Sequence, residues 1–447
     1  MAVRKDLKRE EGQLLVAFAV MLTVIVLFAG LAVDAGLLYV EKARLSNAVD
    51  SACLTAVKNL WQGQTTAAAV AANVFVANFG DNAPTPSITF PTDASGDQQV
   101  KVTATANVQT LFIGLLSRWS TVPVSATAVA TRGNLVMSIV LDRSGSMCGG
   151  ANQCDFGVTG DNGGVALQSA VPTFVGDFDE KTDRIGMISF ASNGTVDVPI
   201  SYSFKTAVTS SVQGLKFTGG TFGTGAGTGS MLSSTKGPPL SLAQLQNDSV
   251  PVQPGQNIVK VIVYFTDGLM NTIQDNFACP ATALINYGGH DSGSQVDIFD
   301  PSSGTDWGHY TSGTGFPYDS AGDICKNASR QIVTTFPSQQ SGTQKSLSQS
   351  NVTAEAKYRA IQTAVALRTE SPVPTFIFTI GLGSGISAGT QAFLAQLAND
   401  PSYSTYISGQ PAGLFFNIPN CPSATCTTAV QKAFQTIAAK VMLRLTQ

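Results

Sequence analysis

Residues 136–146 read VMSIVLDRSGS, an apolar run that ends in an aspartate and two serines, so one carboxylate and two hydroxyls emerge where a strand stops. These are oxygen donors for a hard cation. Two later segments carry donors of the same kind. Residues 217–221 (FTGGT) place the Thr221 hydroxyl on a glycine-flanked loop, and residues 261–268 (VIVYFTDG) bring Asp267 from the end of a second apolar run. Magnesium takes octahedral oxygen ligands, sheds water reluctantly and is held by one or two carboxylates plus neutral oxygens. Asp142 and Asp267 balance its charge, and the hydroxyls of Ser144, Ser146 and Thr221 add neutral ligands, leaving appetite for an outside carboxylate. The D-x-S-x-S spacing recurs at Asp400, Ser402 and Ser404, but there it follows a helix-like run and reads as a surface turn.

Such a donor set needs strands that end together. Apolar runs at 135–141, 185–190, 258–265, 376–380 and 414–418 alternate with helix-like stretches, the pattern of βα units on a parallel sheet. Leu167, Val171, Phe174, Val175 and Phe178 fall at helical spacing, and Pro172 among them predicts a kink or a late helix start. The run DRSGSM, then GGT, then FTDG resembles the metal-ion-dependent adhesion site (MIDAS) of von Willebrand factor type A (vWA) domains, over roughly residue 134 to the C-terminus. The resemblance implies an α/β fold, a doubly wound, mostly parallel, Rossmann-like sheet with the metal at the carboxyl ends of its strands. It also implies Mg2+, or Mn2+ or Ca2+, on Asp142, Ser144, Ser146, Thr221 and Asp267. Phe222, Gly223 and Thr224 follow the GGT where the family often has Asn-Thr-Gly, which makes Thr224 a rival to Thr221.

Residues 14–33 (LLVAFAVMLTVIVLFAGLAV) are uncharged and, at about 20 residues, long enough to cross a bilayer as a helix. Arg4, Lys5, Lys8 and Arg9 precede the run and only Lys42 and Arg44 follow closely, which predicts a cytoplasmic tail at 1–13 and an extracytoplasmic remainder. A cleaved signal peptide is the competing reading; the length of the run and the lack of a clean A-x-A break speak against it. The helix is expected to continue beyond residue 60 and to end at NAPTP, residues 82–86. Residues 100–108 and 122–130 then alternate apolar with polar as half-buried strands, with LFIGLL at 111–116 roofing the pair. Residues 34–133 thus form a small helix-plus-strands module ahead of a domain at 134–447.

The opening of the chain carries a second resemblance. Gly12 and Gln13, the apolar run, the stretch AVDAGLLY at 32–39 and KARLSNA at 42–48 are similar to the N-terminal region of TadE/TadG-like proteins of Flp (Tad) pilus assembly, and the ending LRLTQ is similar too. This implies a bacterial envelope protein tied to tight-adherence pili, held in the inner membrane with its large domain periplasmic or surface-exposed. Five residues after Gly12 stands Ala17 where prepilins have glutamate, so the anchor is expected to stay.

All seven cysteines follow the apolar run. Six fall as chain neighbours, Cys148 with Cys154, Cys279 with Cys325 and Cys421 with Cys426, and read as disulfides of an oxidising compartment, although other pairings stay open. Zinc is the alternative, but only Cys421 and Cys426 stand at a C-x2-4-C spacing, no second such pair accompanies them, and the histidines are His290 and His309 alone. Cys53 is left over in a small-residue helix, as a buried thiol or an intermolecular bridge. The polar stretch at 274–350, with Trp307, Tyr310, Phe316 and Tyr318 among glycines and serines, predicts a long loop insertion on the metal rim that shapes partner choice. Asp291, Asp297, Asp300 and Asp306 within it match no EF-hand and read as solvated acids.

Charged residues make up 12% of the chain and the net charge is -3, which gives no electrostatic case for nucleic acid. Gly385, Ser387 and Gly389 match G-x-S-x-G, but Ser387 lies beyond the strand end and no histidine follows it; there is also no phosphate loop and no H-E-x-x-H. The expectation is therefore a binding protein and not an enzyme, its metal gripping an acidic residue of a pilus component, an envelope partner or a host surface. A scaffold whose metal only stabilises the domain is the alternative.

Overall fold

A computed structural model describes residues 11–445 apart from 95, 117–119, 144–146, 148–152, 155–162, 191–193, 219–244, 246–256, 269, 279–282, 292–295, 301–304, 311–334, 384–385, 420 and 422–424. The chain forms two compact units that meet in sequence between Arg132 and Gly133.

The first unit opens with α1 (Glu11–Lys58), 48 residues long, whose stretch from Leu15 is long and apolar enough to cross a membrane. A single helix was the expectation as far as the NAPTP break. The chain instead turns at Gly63, whose φ of 97° suits a residue without a Cβ, and α2 (Gln64–Phe79) packs back on α1. Strands β1 (Ser87–Thr89), β2 (Gln98–Gln109) and β3 (Thr121–Arg132) form an antiparallel sheet with β2 in the middle, and α3 (Ile113–Leu116) lies in the β2–β3 connection. Alternate β2 residues Val100, Val102, Ala104 and Ala106 share a core with Leu45, Val49 and Ala52 of α1 and Ala71 and Phe75 of α2. Cys53 belongs to this core: its thiol donates to the Val100 carbonyl at 3.2 Å, and burial pushes its pKa up. An intermolecular bridge therefore finds no accessible sulfur here.

The second unit begins with β4 (Asn134–Asp142), the two-residue β5 (Gln153–Cys154), α4 (Gly163–Gly176), β6 (Arg184–Phe190) and β7 (Gly194–Ser201). α5 (Phe204–Gly214), β8 (Phe217–Thr218), which pairs with β5, and β9 (Ile258–Thr266) follow. Next come β10 (Thr272–Ala278), β11 (Ala283–Asp291), β12 (Val296–Asp300), β13 (Thr305–Tyr310), β14 (Thr335–Pro337) and β15 (Gln344–Ser346). The unit closes with α6 (Gln349–Arg368), β16 (Thr375–Leu382), α7 (Ala388–Ala398), β17 (Phe415–Ile418) and α8 (Cys426–Leu445).

Its main sheet has the order β17-β16-β9-β4-β6-β7 and is parallel except for the edge strand β7. Met137, Ile139 and Leu141 of β4 and Val261, Val263 and Phe265 of β9 pack with α4 and α8. Val136 and Val140, with Ile262 and Tyr264, pack with α6 and α7 on the opposite face. Burial on both faces explains why these strands read as unbroken apolar runs and not as alternating ones. α4 runs continuously through Pro172. Its buried Leu167, Val171, Phe174 and Val175 contribute about 1.5–3 kcal/mol each, which outweighs the roughly 3 kcal/mol that an internal proline costs.

The stretch at 274–350, expected as a loop, instead carries a second, antiparallel sheet of order β13-β12-β11-β10-β14-β15. Ile273, Phe277 and Phe336 join the α6 side of the core. A buried charge cluster fixes this sheet to α6. Arg359 donates from Nε to Glu355 at 2.7 Å, from Nη1 to the Gln274 carbonyl at 3.1 Å, and from Nη2 to the Asp275 carboxylate. Glu355 also accepts from Ser338 Oγ at 2.9 Å and from the Gln339 N–H at 2.7 Å. Arg359→Ala strands two buried carboxylates, so the whole chain should lose about 3–5 kcal/mol of stability in urea denaturation. An unchanged midpoint would show that the cluster is not what holds the inserted sheet.

Candidate metal centre

From β4 the chain moves to β6 and β7 on one side, then crosses to build β9, β16 and β17 on the other, so the strand order reverses between β4 and β9. In open α/β sheets the ligand crevice lies beyond the carboxyl ends of the strands at such a reversal. The parallel register pairs Leu141 with Phe265, which brings the two strands to their ends at the same level. Asp142 is the last residue of β4 and has no exposed surface. Asp267 stands in the bend immediately after β9 and is half-buried.

Thr266, which the sequence reading passes over, joins the two strand ends. Its Oγ1 donates to Asp142 Oδ2 at 2.7 Å and accepts the Gly268 N–H at 3.1 Å. A carboxylate taken out of water needs such donors, and a hydroxyl that fixes its orientation is the kind of support that metal-ligating carboxylates receive from their surroundings. The signal was available as the threonine of FTDG, one position before Asp267 on a strand ending level with Asp142. Main-chain pairing continues one residue past β4, where the Arg143 N–H donates to the Phe190 carbonyl at 2.8 Å. Met147 is buried, and a Cβ on Gly163 would fall 2.3 Å from the Leu382 side chain and 3.3 Å from the Met147 carbonyl. Nearby, burial pushes the Asp197 carboxyl up, opposed by the neighbouring polar groups of Ser189 and by the charge of Arg143.

The structure thus sets Asp142 and Asp267 on neighbouring strand ends. Ser144, Ser146, Thr221 and its rival Thr224 lie outside the described residues, as do Cys148, Cys279 and Cys325. Cys154 falls in β5, and Cys421 and Cys426 form a disulfide, with their Cα atoms 5.1 Å apart, ahead of α8. Among the described residues no three His, Cys, Asp or Glu side chains converge. A cation at the reversal would meet the carboxylates of Asp142 and Asp267, hard oxygen donors of the kind that divalent ions such as Mg2+ take.

Two look-alike motifs resolve into structural roles. Asp400 is buried and not on the surface: it accepts the Ser402 N–H at 2.8 Å and the Phe415 N–H at 2.8 Å, an Asx-type turn that ties α7 to the start of β17. Ser387 caps α7, accepting the Thr390 N–H at 3.2 Å.

Residues 137–288 match the profile of the von Willebrand factor type A domain. The second unit carries a vWA domain. Residues 12–73 match the Flp pilus-assembly TadE/G-like family. The vWA match ends within β11, whereas the main sheet is completed by β16 and β17. Among curated proteins no sequence matches this chain. Among solved structures the chain is similar to the vWF domain of the type V pili tip protein Mfa5 from Porphyromonas gingivalis, with 14% identity over 71% of this chain and 97% of that one, at a TM-score of 0.38. It is similar to the PilB minor pilin from Streptococcus sanguinis, with 12% identity over 80% of this chain and 78% of that one, at a TM-score of 0.37. A further similarity is to proximal thread matrix protein 1 of the mussel byssus with a zinc-occupied MIDAS motif, with 13% identity over 68% of this chain and 46% of that one, at a TM-score of 0.28.

Two substitutions separate the vWA centre from its scaffold. Thr266→Val removes a buried donor from Asp142 and should cost about 1–3 kcal/mol in urea denaturation with EDTA present. Ser387→Ala removes a helix cap and should cost about 1 kcal/mol, with no effect on metal uptake.

Proposed function

We propose that this chain is a membrane-anchored, extracytoplasmic protein of Flp pilus assembly whose vWA domain binds a protein partner through a divalent cation. Asp142 and Asp267 supply the negative charge, and the hydroxyls of Ser144, Ser146 and Thr221 supply neutral ligands. A bound Mg2+, or Mn2+ or Ca2+, provides a cationic point that an acidic side chain of a pilus component, envelope partner or host surface completes. The observation that carries this reading is the pair of carboxylates at the β4–β9 reversal, one of them wholly buried and oriented by Thr266.

The anchor is supported by α1, which exposes a row of large apolar side chains including Phe18, Met21, Ile25 and Phe28 that no described residue covers. Exposed apolar area of this extent calls for a membrane or a partner. The basic residues ahead of it, Arg4, Lys5, Lys8 and Arg9, favour a cytoplasmic N-terminus. Binding, and not catalysis, is the proposed role; the serine of the G-x-S-x-G pattern is engaged as a helix cap.

Calorimetric titration of the detergent-solubilised chain with Mg2+ tests the centre. Asp142→Ala should abolish the binding isotherm, and Thr266→Val should weaken it about 10–100-fold through loss of ligand orientation. Pull-down of pilus fractions should then be lost both with EDTA and with Asp142→Ala. If metal uptake depends on Asp142 while pull-down does not, the metal has only a stabilising role and the adhesive reading is wrong.

A further inference from the structure

The exposed apolar surface of α1 does not stop with the run at 14–33. Leu37 is 43% exposed, Val40 63% and Tyr39 75%. Glu41 and Lys42 come next in the chain. The one charge inside this belt, Asp34, has no exposed surface. Its Oδ1 accepts the Leu111 N–H at 2.8 Å, and its Oδ2 accepts those of Phe112 at 2.8 Å and Ile113 at 2.7 Å. One helical turn earlier, Gly30 makes room for Phe112, since a Cβ there would lie 2.4 Å from the aromatic ring. Residues 111–113 open the β2–β3 connection, LFIGLL in sequence, and Leu111 is 59% exposed. Residues 111–113 lie along α1 between Gly30 and Asp34, with exposed apolar helix surface before and after them.

Two oddities explain each other if this level is hydrocarbon. Backbone that is not helical is tolerated at membrane depth only where its polar groups find partners within the protein. An aspartate at that depth is likewise tolerated only when it is paired. In water neither group needs the other, because loop amides and a carboxylate are both well solvated. Arg118 and Trp119 follow the tip in sequence, and Tyr39 ends the belt on α1, residue types that populate the headgroup level.

We propose that the tip of the β2–β3 hairpin, residues 111–116, is inserted into the extracytoplasmic leaflet beside α1, with Asp34 satisfying its backbone. The lipid-facing belt of α1 then runs to Tyr39 and not to Val33, about 25 residues, within the range of a tilted span. This rests on the anchoring of α1 proposed above, and the occupant is lipid because Leu111, exposed on the tip, and the exposed side chains on the flanking helix are apolar.

The test places a benzophenone photocrosslinker singly at Leu111, at Val24 in the middle of the span, or at Val129, which is exposed on β3. The full chain is reconstituted in vesicles of phosphatidylethanolamine and phosphatidylglycerol, and lipid adducts are read by mass spectrometry. Lipid adducts at Leu111 in a yield of the same order as at Val24, with none at Val129, are expected. Adducts at Val24 without adducts at Leu111, or adducts at Leu111 to protein alone, overturn the insertion while leaving the span standing. No adduct at Val24 overturns the span, and the insertion with it. Leu111 is exposed, so substitution there leaves the fold intact; a lost Asp34 clamp is checked separately by Asp34→Asn, which should reduce the Leu111 lipid adducts.

Discussion

The register of β4 on β9 is the constraint on which the centre depends. Asp142 ends its strand without contact with water, and its hydroxyl donor arrives from the neighbouring strand because Leu141 and Phe265 are paired. A slip of one residue would turn every β9 side chain to the opposite face. Thr266 would then point away from Asp142, and the apolar sets now divided between the two helical layers would be exchanged. Core packing and site geometry are therefore enforced by the same alternation, and a mutation that loosens one disturbs the other.

Much of this arrangement was legible because burial on both faces writes strands as continuous apolar letters. The runs at 135–141, 258–265 and 376–380 fall within β4, β9 and β16, and the two carboxylates stand where the first two of them end. The inserted sheet was hidden for the converse reason. Its strands, such as ALINYGGHD and TDWGHY, are mixed with glycine and acids and lack both a sustained apolar run and a period of two. Thr266 stood in plain view in FTDG, but its role was harder to read because its partner lies 124 residues away and is set by strand pairing, not by spacing.

The same distinction separates the two D-x-S-x-S sequences. One aspartate is placed at a sheet edge opposite a side-chain donor; the other spends both carboxylate oxygens on the amides of Ser402 and Phe415. Composition cannot tell these apart, since the difference lies in which backbone the oxygens face. Asp34 is a further case. In sequence it marks the end of an apolar run, yet its partners are three amides that begin 77 residues further along the chain. In the small module, Gly63 likewise reverses a chain whose helical composition gives no sign of stopping.

Four residues, 268–271, separate Asp267 from the first strand of the inserted sheet, and one of them, Met270, is embedded in the core. That same first strand, β10, is clamped to α6 through Asp275 and Arg359. This short strap makes the inserted strands and the second carboxylate parts of one mechanical linkage. Tension applied to the outer strands β11–β13 passes through β10, where the Asp275–Arg359 clamp takes the load ahead of the strap, so the bend that carries Asp267 is shielded from a pull at the periphery.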